Sequence, residues 1–278
     1  MGRLGDTGVR EHPAATDPHH ASRTARAVRV RTRPEHPATG AALAVVGGFL
    51  DAYTFVAHGG VFANAQTGNV VFVAIHAARG QWAQAAGYLP IIGAFVLGLV
   101  VAEWLAAHRR LPGLEDPTRI VLLAEIGTLV GVAALPASVP ALATTTAVAF
   151  VAALQVTTFR LVRDTSYSTT MTTGNLRTLV TAAYEWLSGY DRTQRRVALR
   201  LSAIVLAFAA GAGIGALASG PDALGTRATL VAAGVLAVVL AAIETHTRRT
   251  STAAGRVSAP AAPSARDAVP AGVGADGD

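Results

Sequence analysis

Two short polar motifs hold the residues best suited to binding a solute in an otherwise apolar chain. The first motif is Gln66-Thr67-Gly68-Asn69, and the second is Thr172-Thr173-Gly174-Asn175. Threonine and asparagine side chains donate and accept hydrogen bonds without ionising, so the motifs fit solute binding better than acid–base catalysis. A helix that begins at such a motif also presents free N–H groups, which attract an anion or a carbonyl oxygen. The alternative is a structural break whose polar groups only satisfy the backbone.

Each residue type in the motifs has a predicted task. Glycine allows unusual backbone angles or a close approach, and a threonine or asparagine side chain can cap the short helix that follows. The candidate binding residues of the motifs are Thr67, Gly68, Asn69, Thr173, Gly174 and Asn175.

Asp51 is the most telling single residue, because it stands inside an apolar run. A carboxylate at membrane depth needs a partner, a water-filled cavity or a proton. We therefore predict a binding or coupling role for Asp51, with a structural ion pair as the alternative. Gln155 and Arg160 are its candidate partners, although Arg160 can instead extend to the membrane interface.

The remaining polar residues predict less chemistry. Glu103, Glu125 and Glu185 are interpreted as interfacial, and His58 and His76 do not form a metal-binding spacing. The chain has no cysteine, which excludes disulfides, thiol nucleophiles and iron–sulfur clusters. We expect neither a cofactor nor a metal ion.

The elements that must position these residues are membrane spans. Six runs have about the length of the roughly 20 apolar residues that cross a bilayer. They are Ala41–Ala57, Tyr88–Ala107, Ile120–Leu135, Thr144–Leu161, Val197–Ala218 and Ala228–Thr245. Two shorter runs, Val70–Ala78 and Leu176–Leu187, directly follow the motifs. The pairs Gly127/Gly131 and Gly211/Gly215 predict close packing between helices.

The distribution of basic residues predicts how the spans are oriented. If both short runs dip into the membrane and return, nearly all arginines between and beside the spans lie on one side, which is then cytoplasmic. If the short runs crossed fully, Arg109 and Arg110 would lie outside. The prediction is six transmembrane helices, two re-entrant half-helices and both termini in the cytoplasm. The basic segment 1–40 and the tail 250–278 are predicted to be disordered and flank a membrane domain over 41–249.

The two motifs also belong to a longer internal similarity. The offset that relates Gly68 to Gly174 also relates Tyr53 to Phe159. After a short insertion, Phe95-Val96-Leu97-Gly98 matches Phe208-Ala209-Ala210-Gly211. Each half, about 41–136 and 144–245, has an odd number of spans, so the second would be upside down relative to the first. We therefore predict an all-α helix bundle with a 3+3 inverted repeat, an arrangement found in transporters.

Two ordered signatures resemble a known family. Gly48-Phe49-Leu50-Asp51-Ala52 followed by Asn64-Ala65-Gln66-Thr67-Gly68-Asn69 resembles the opening signature of the YoaK family of bacterial inner-membrane proteins. Gln155 with Arg160, followed by Thr169-Thr170-Met171-Thr172-Thr173-Gly174, resembles its second signature. The resemblance implies a multi-pass protein of the bacterial inner membrane and brings Asn64 into the candidate site. It implies no substrate, because the family is classed as a domain of unknown function.

These observations favour a secondary transporter or channel for a small polar or anionic solute, embedded in the lipid bilayer. Asp51 would carry a coupling proton or a counter-charge between the two re-entrant segments. The alternatives are a non-transporting scaffold or accessory subunit and, less favoured, a membrane enzyme. The sequence contains no recognisable nucleotide, zinc-protease or serine-hydrolase motif, so no enzyme is predicted. The basic charge follows the positive-inside rule, and no nucleic-acid partner is expected.

Overall fold

The computed structural model describes residues 36–257, apart from 137, 163, 164, 171, 221 and 222. Most of the N-terminal segment and tail predicted to be disordered therefore lies outside the described residues. Within them, the last helix continues to Val257, into the segment that was assigned to the tail.

Long helices dominate the described part of the chain. They are α1 (Pro37–Ala57), α2 (Gln66–Ala78), α3 (Trp82–Gly87), α4 (Leu89–Ala107), α5 (Pro117–Ala134), α6 (Ala141–Thr158), α7 (Thr172–Leu187), α8 (Gln194–Ala218) and α9 (Thr229–Val257). A 3-10 turn, Gly225–Ala228, precedes α9. Two strands of two residues, β1 (Leu161–Val162) and β2 (Thr165–Ser166), form an antiparallel pair between α6 and α7.

Six stretches are long and apolar enough to cross a membrane, which confirms the predicted set of spans. They are Pro37–Ala57, Trp82–Ala107, Pro117–Ala134, Ala141–Thr158, Gln194–Ala218 and Gly225–Thr247. The described chain is thus a multi-pass helix bundle of the membrane type.

Local sequence signals explain where two of these helices begin. The His36 side chain accepts a hydrogen bond from the N–H of Ala38, and Pro37 occupies the first turn of α1. Asp116 accepts from the N–H of Arg119, and Pro117 begins α5. Proline fits the first turn, where its missing N–H costs nothing.

The short helices α2 and α7 include the polar motifs in their first turns. With 13 and 16 residues they are about 20 and 24 Å long, less than the roughly 30 Å hydrocarbon core. The capping prediction is wrong for α2, because its N-terminus has no side-chain cap and Thr67 is already helical. Gly68 does not adopt a left-handed conformation, but a Cβ there would lie 2.9 Å from the Phe62 ring. Close approach, rather than backbone angle, explains that glycine.

Three helix contacts, including the two largest, join the two halves of the chain. Helix α1 packs along α8 and α4 along α6, while α5 packs along α9. Glycines bring the backbones of α1 and α8 together: a Cβ at Gly211 would overlap the Val45 carbonyl, and one at Gly215 would meet that of Phe49.

The prediction of close packing is therefore confirmed for Gly211 and Gly215 but wrong for Gly127 and Gly131. An added Cβ at either α5 glycine meets nothing within 4 Å. The same spacing of small residues thus marks a tight seam in one helix and an open face in another.

Candidate functional site

Asn69 and Asn175 hold the chain in the same way in the two motifs. Asn69 accepts a hydrogen bond from the N–H of Phe62 (3.0 Å) and donates to the Phe62 carbonyl oxygen (2.7 Å). Asn175 accepts from the N–H of Ser168 (3.0 Å) and donates to its carbonyl oxygen (2.6 Å). In both cases the bonded residue stands seven positions earlier. Each asparagine thereby fixes a lead-in segment, residues 62–65 or 168–170, against the first turn of its short helix.

The motif side chains are otherwise turned away from each other. Asn69 and Asn175 are buried, and Asn69 also donates to the side chain of Gln66 at 2.9 Å. Thr67, Thr173 and Gly174 are exposed on their helices. Of the predicted motif residues, the asparagines thus bond the lead-in segments, whereas Thr67, Thr173 and Gly174 lie on exposed positions of their helices.

The first lead-in segment is bound to α1 through a row of acceptors one turn apart. The N–H of Asn64 donates to the Asp51 carboxylate at 2.7 Å, and the Asn64 side chain donates to the Gly47 carbonyl oxygen at 3.1 Å. One turn earlier, the Gln155 side chain of α6 donates to the Leu43 carbonyl oxygen at 3.3 Å. Three predicted site residues, Asp51, Asn64 and Gln155, therefore lie along one face of α1.

The second lead-in segment reaches the same face of α1. A Cβ added at Gly47 would lie 2.9 Å from both the Thr169 carbonyl oxygen and the Thr170 methyl group. Gly47 is the middle residue of α1, so the two lead-in segments meet near half the length of that span. The absence of a side chain at Gly47 is what allows this contact.

We call Asp51, Asn64, Gln155, Thr169 and Thr170, together with the Gly47 backbone, the Gly47 cluster. Its side chains are all at most 6% exposed. Four of its polar atoms have no partner within the described residues: Asn64 Oδ1, Gln155 Oε1, Thr169 Oγ1 and Thr170 Oγ1. Buried polar atoms are nearly always hydrogen-bonded in native proteins, so these four atoms make the Gly47 cluster the candidate functional site.

The orientation of the two amides in the cluster follows from their partners. Asn64 and Gln155 each face a carbonyl oxygen of α1, which only the amide nitrogen can bond. Their amide oxygens are therefore the groups left free. Together with the Asp51 carboxylate they make the cluster rich in acceptors, and it contains no basic side chain.

Arg160 is not part of this cluster. Its guanidinium forms an ion pair with Glu103 of α4, and both side chains are about half exposed. The candidate partnership with Asp51 is therefore wrong, and Asp51 instead accepts a hydrogen bond from the backbone N–H of Asn64. The interpretation of Glu103 as an accessible residue agrees with its exposure.

The interpretation of Glu125 as an interfacial residue is wrong. It lies in the middle of α5 and is completely buried (0% exposed). Its two carboxyl oxygens make no hydrogen bond within the described residues. The sequence signal for burial is the central place of Glu125 in the third predicted span, Ile120–Leu135.

The two histidines near the first motif pack against neighbouring side chains. The His58 ring meets the Tyr53 ring edge-on at 4.8 Å, and burial lowers the pKa of His58 below its ordinary value. His76 Nδ1 lies 2.6 Å from Gln81 Oε1. Among the described residues, no group of three His, Asp or Glu side chains is placed to hold a metal ion.

Comparison with known proteins gives one match. The model of a family described as "Protein of unknown function (DUF1275)" matches residues 39–242, which include both motifs and all residues of the Gly47 cluster. No curated protein and no solved structure matches the chain.

Proposed function

We propose that this chain, which belongs to the DUF1275 family of proteins of unknown function, moves a small polar solute across a membrane. The observation that carries the proposal is the meeting of both lead-in segments at Gly47, with four buried polar atoms left unpartnered. The solute would bind there, between the two short helices. The narrower likeness to YoaK proteins and the placement in a bacterial inner membrane belong to the same proposal.

Matched contacts in the two halves support an inverted repeat around this site. The bonds of Asn69 to Phe62 have their counterpart in those of Asn175 to Ser168. Helix packing shows the same correspondence between the halves. The first span of each half packs along the span that follows the motif of the other half: α1 along α8, and α6 along α4. Asn64 and Thr170, which meet at Gly47, stand at the offset that relates the two asparagines. Such symmetry places transporter sites at the interface of the repeats.

The chemistry of the cluster favours a solute that donates hydrogen bonds. Its free groups are two amide oxygens and two hydroxyls, beside the Asp51 carboxylate. An ammonium ion, a small amine or a polyol supplies N–H or O–H donors to such groups, whereas an anion would face oxygen atoms of its own kind. The proposal therefore narrows the expected small polar or anionic solute to one with donors.

Alternating access around the closed cluster is the proposed mechanism. In the conformation described, the second lead-in segment lies directly on Gly47 and seals the cluster. Opening on one side would require one helix pair to rotate against the other, for example α1 and α8 against α4 and α6. Asp51, bonded to the first lead-in segment, would keep that segment attached to α1 during the motion.

A non-transporting scaffold is the second candidate function. It is favoured by one observation: the amides of Asn69 and Asn175 are engaged by the neighbouring backbone. Under this alternative the motifs only hold the lead-in segments. No enzymatic activity is proposed.

Thermal stabilisation of the purified full-length protein in detergent separates these functions. Ammonium, small amines, polyols and small anions serve as probes, because a ligand at about 100 times its Kd stabilises by roughly 2.7 kcal/mol. We expect a donor solute to raise the Tm of the wild type, with the effect lost in Thr170→Val. Thr173→Val is the matched control, since that threonine is exposed. Stabilisation by anions alone would contradict the choice of solute, and no stabilisation by any probe would favour the scaffold.

A positive probe then requires a flux measurement. Uptake of that solute into liposomes containing wild-type protein, and its loss with Thr170→Val but not Thr173→Val, is the expected result. Binding without uptake in either direction would contradict transport while leaving the binding site intact.

A further inference from the structure

A second buried polar group lies apart from the Gly47 cluster, at the centre of α5. Glu125 occupies the inward stripe of this helix together with Val121, Leu129 and Val132, at spacings of about one turn. These three neighbours belong to the main hydrophobic cluster of the bundle. Glu125 is completely buried, and neither carboxyl oxygen has a hydrogen-bond partner within the described residues.

The elements packed against α5 bring no described charge close to Glu125. These elements are α9, α6, α4 and the 3-10 turn. Their titratable or charged residues with described side chains, including those of α5, are Arg119, Glu103, Arg227, Glu244 and His246. Helix α6 contains none.

Each of these groups either lies away from Glu125 along its helix or is paired with another residue. Arg119 is separated from Glu125 by about 9 Å along α5 and forms an ion pair with Glu244 of α9 at 3.3 Å. His246 lies two residues after Glu244 in α9. Arg227 is exposed in the 3-10 turn that precedes the other end of α9. Glu103 forms its ion pair with Arg160.

The environment determines the protonation state of this carboxyl. An ionised carboxylate without a partner in an apolar core loses its hydration, and no hydrogen bond compensates for that loss. Asp51 differs, because the backbone N–H of Asn64 in its lead-in segment donates a hydrogen bond to its carboxylate. The closed conformation therefore requires a neutral carboxylic acid at Glu125.

We infer that Glu125 is a proton-binding site within the membrane domain. Its carboxyl holds a proton while α5, α6 and α9 are closed around it. When water reaches it, the carboxyl oxygen releases the proton to water and becomes a carboxylate. A metal ion fits the position less well, because Glu125 has no second ligand in the described part of the chain. This inference does not depend on the Gly47 cluster binding a solute.

An apolar groove lies along α5 about one turn from Glu125, which does not itself line the groove. A groove of about 680 Å³ between α4, α5 and α6 is lined almost entirely by apolar groups. Thr128 lines this groove and stands about one turn from Glu125 on α5. A small apolar reagent in the bilayer can therefore come close to the carboxyl.

Dicyclohexylcarbodiimide is such a reagent, and it reacts with neutral carboxylic acids. The carboxyl oxygen bonds to the central carbon of the carbodiimide, the acid proton moves to a carbodiimide nitrogen, and the adduct rearranges to a stable N-acylurea of the same mass. The full-length protein in liposomes is treated over a pH series, and labelled peptides are identified by mass spectrometry. We expect labelling at Glu125 that decreases as pH rises, and little at the ion-paired Glu103 and Glu244.

A melting series provides the second readout. Protons that the folded state must hold make folding less favourable as pH rises, by up to about tenfold in the folding equilibrium per pH unit for one group. Glu125→Gln keeps the shape without the titration, so its advantage in Tm over the wild type should grow with pH.

Two results would overturn the inference. The first is reaction of Glu103 or Glu244 while Glu125 stays unlabelled at every pH. The second is a Tm difference between wild type and Glu125→Gln that does not change with pH, and this measurement decides the question if no carboxyl reacts.

Discussion

The buried acids of helices α1 and α5 have opposite surroundings: Asp51 is hydrogen-bonded, and Glu125 has no hydrogen-bond partner in the described residues. Asp51 on α1 receives the N–H of Asn64 at 2.7 Å, and the glycines of α8 bring two backbones into contact nearby. Glu125 on α5 has no hydrogen-bond partner in the described residues, and the glycines of α5 touch nothing across the helix. A lead-in segment folded onto α1 supplies the donors that α5 lacks.

This difference assigns different tasks to two residues of the same chemical class. A carboxylate bonded to a backbone N–H fixes a segment and is expensive to remove, whereas a buried carboxyl without partners keeps its proton until water reaches it. Under the inference above, the proton is held at Glu125 rather than at Asp51, for which the sequence predicts a coupling role.

Replacing each acid by leucine tests most directly whether Asp51 and Glu125 contribute differently to stability. Asp51→Leu leaves the buried N–H of Asn64 unpaired, at a cost of about 1–3 kcal/mol, so we expect poor yield and a lowered Tm. Glu125→Leu leaves no donor unpaired, and replacing a buried polar group by an apolar one is often neutral or stabilising. Melting of both proteins in the same detergent measures the effects. Equal losses in the two variants would remove the distinction.

The two asparagines allow a test of the lead-in segments that pack on α1. Asn69→Leu and Asn175→Leu each break a pair of backbone hydrogen bonds and leave a buried N–H and carbonyl unsatisfied, so we expect each to lose about 2 kcal/mol. Thr67→Val and Thr173→Val, at exposed positions of the same motifs, are matched controls with effects below about 0.5 kcal/mol. The measurement is the shift in Tm. A loss confined to one asparagine would show that the halves are not equivalent.

Glycine substitutions test the packing side of the comparison, and the smallest effect is expected for Gly127→Ala. Gly211→Ala places a Cβ against the Val45 carbonyl, and such overpacking costs about 1–3 kcal/mol. Gly127→Ala meets open space on α5 and should stabilise that helix by up to about 1 kcal/mol. Opposite signs of the Tm shift are expected. A destabilising Gly127→Ala would mean that the open face of α5 is covered by another molecule.

Much of the fold could be read from hydropathy. Apolar runs of sufficient length predict spans because every backbone group in a bilayer must be bonded within its own helix. That rule is local, and the six spans are confirmed. The number of apolar residues in each run also predicts that the two helices after the motifs are shorter than a full span.

The site was only partly predictable. Asp51 and Asn64 do come together, since a polar residue inside an apolar run must find partners. Gln155, the other candidate partner of Asp51, instead bonds the Leu43 carbonyl oxygen, about two turns away on α1. The sequence does not predict Thr169 and Thr170 as site residues, because nothing local distinguishes them from other threonines. Arg160 was misplaced, since its long side chain reaches several neighbours and the sequence does not say which helix is adjacent.

The sequence by itself determined which segments are long and apolar enough to cross a membrane and that two polar motifs stand between them. These properties depend on length, hydropathy and charge along the chain. Only the tertiary structure decided that both lead-in segments meet at Gly47 and that Glu125 turns inward, away from every described donor. The face of a helix on which a residue becomes buried depends on the neighbouring helices, and that information is not local to the chain.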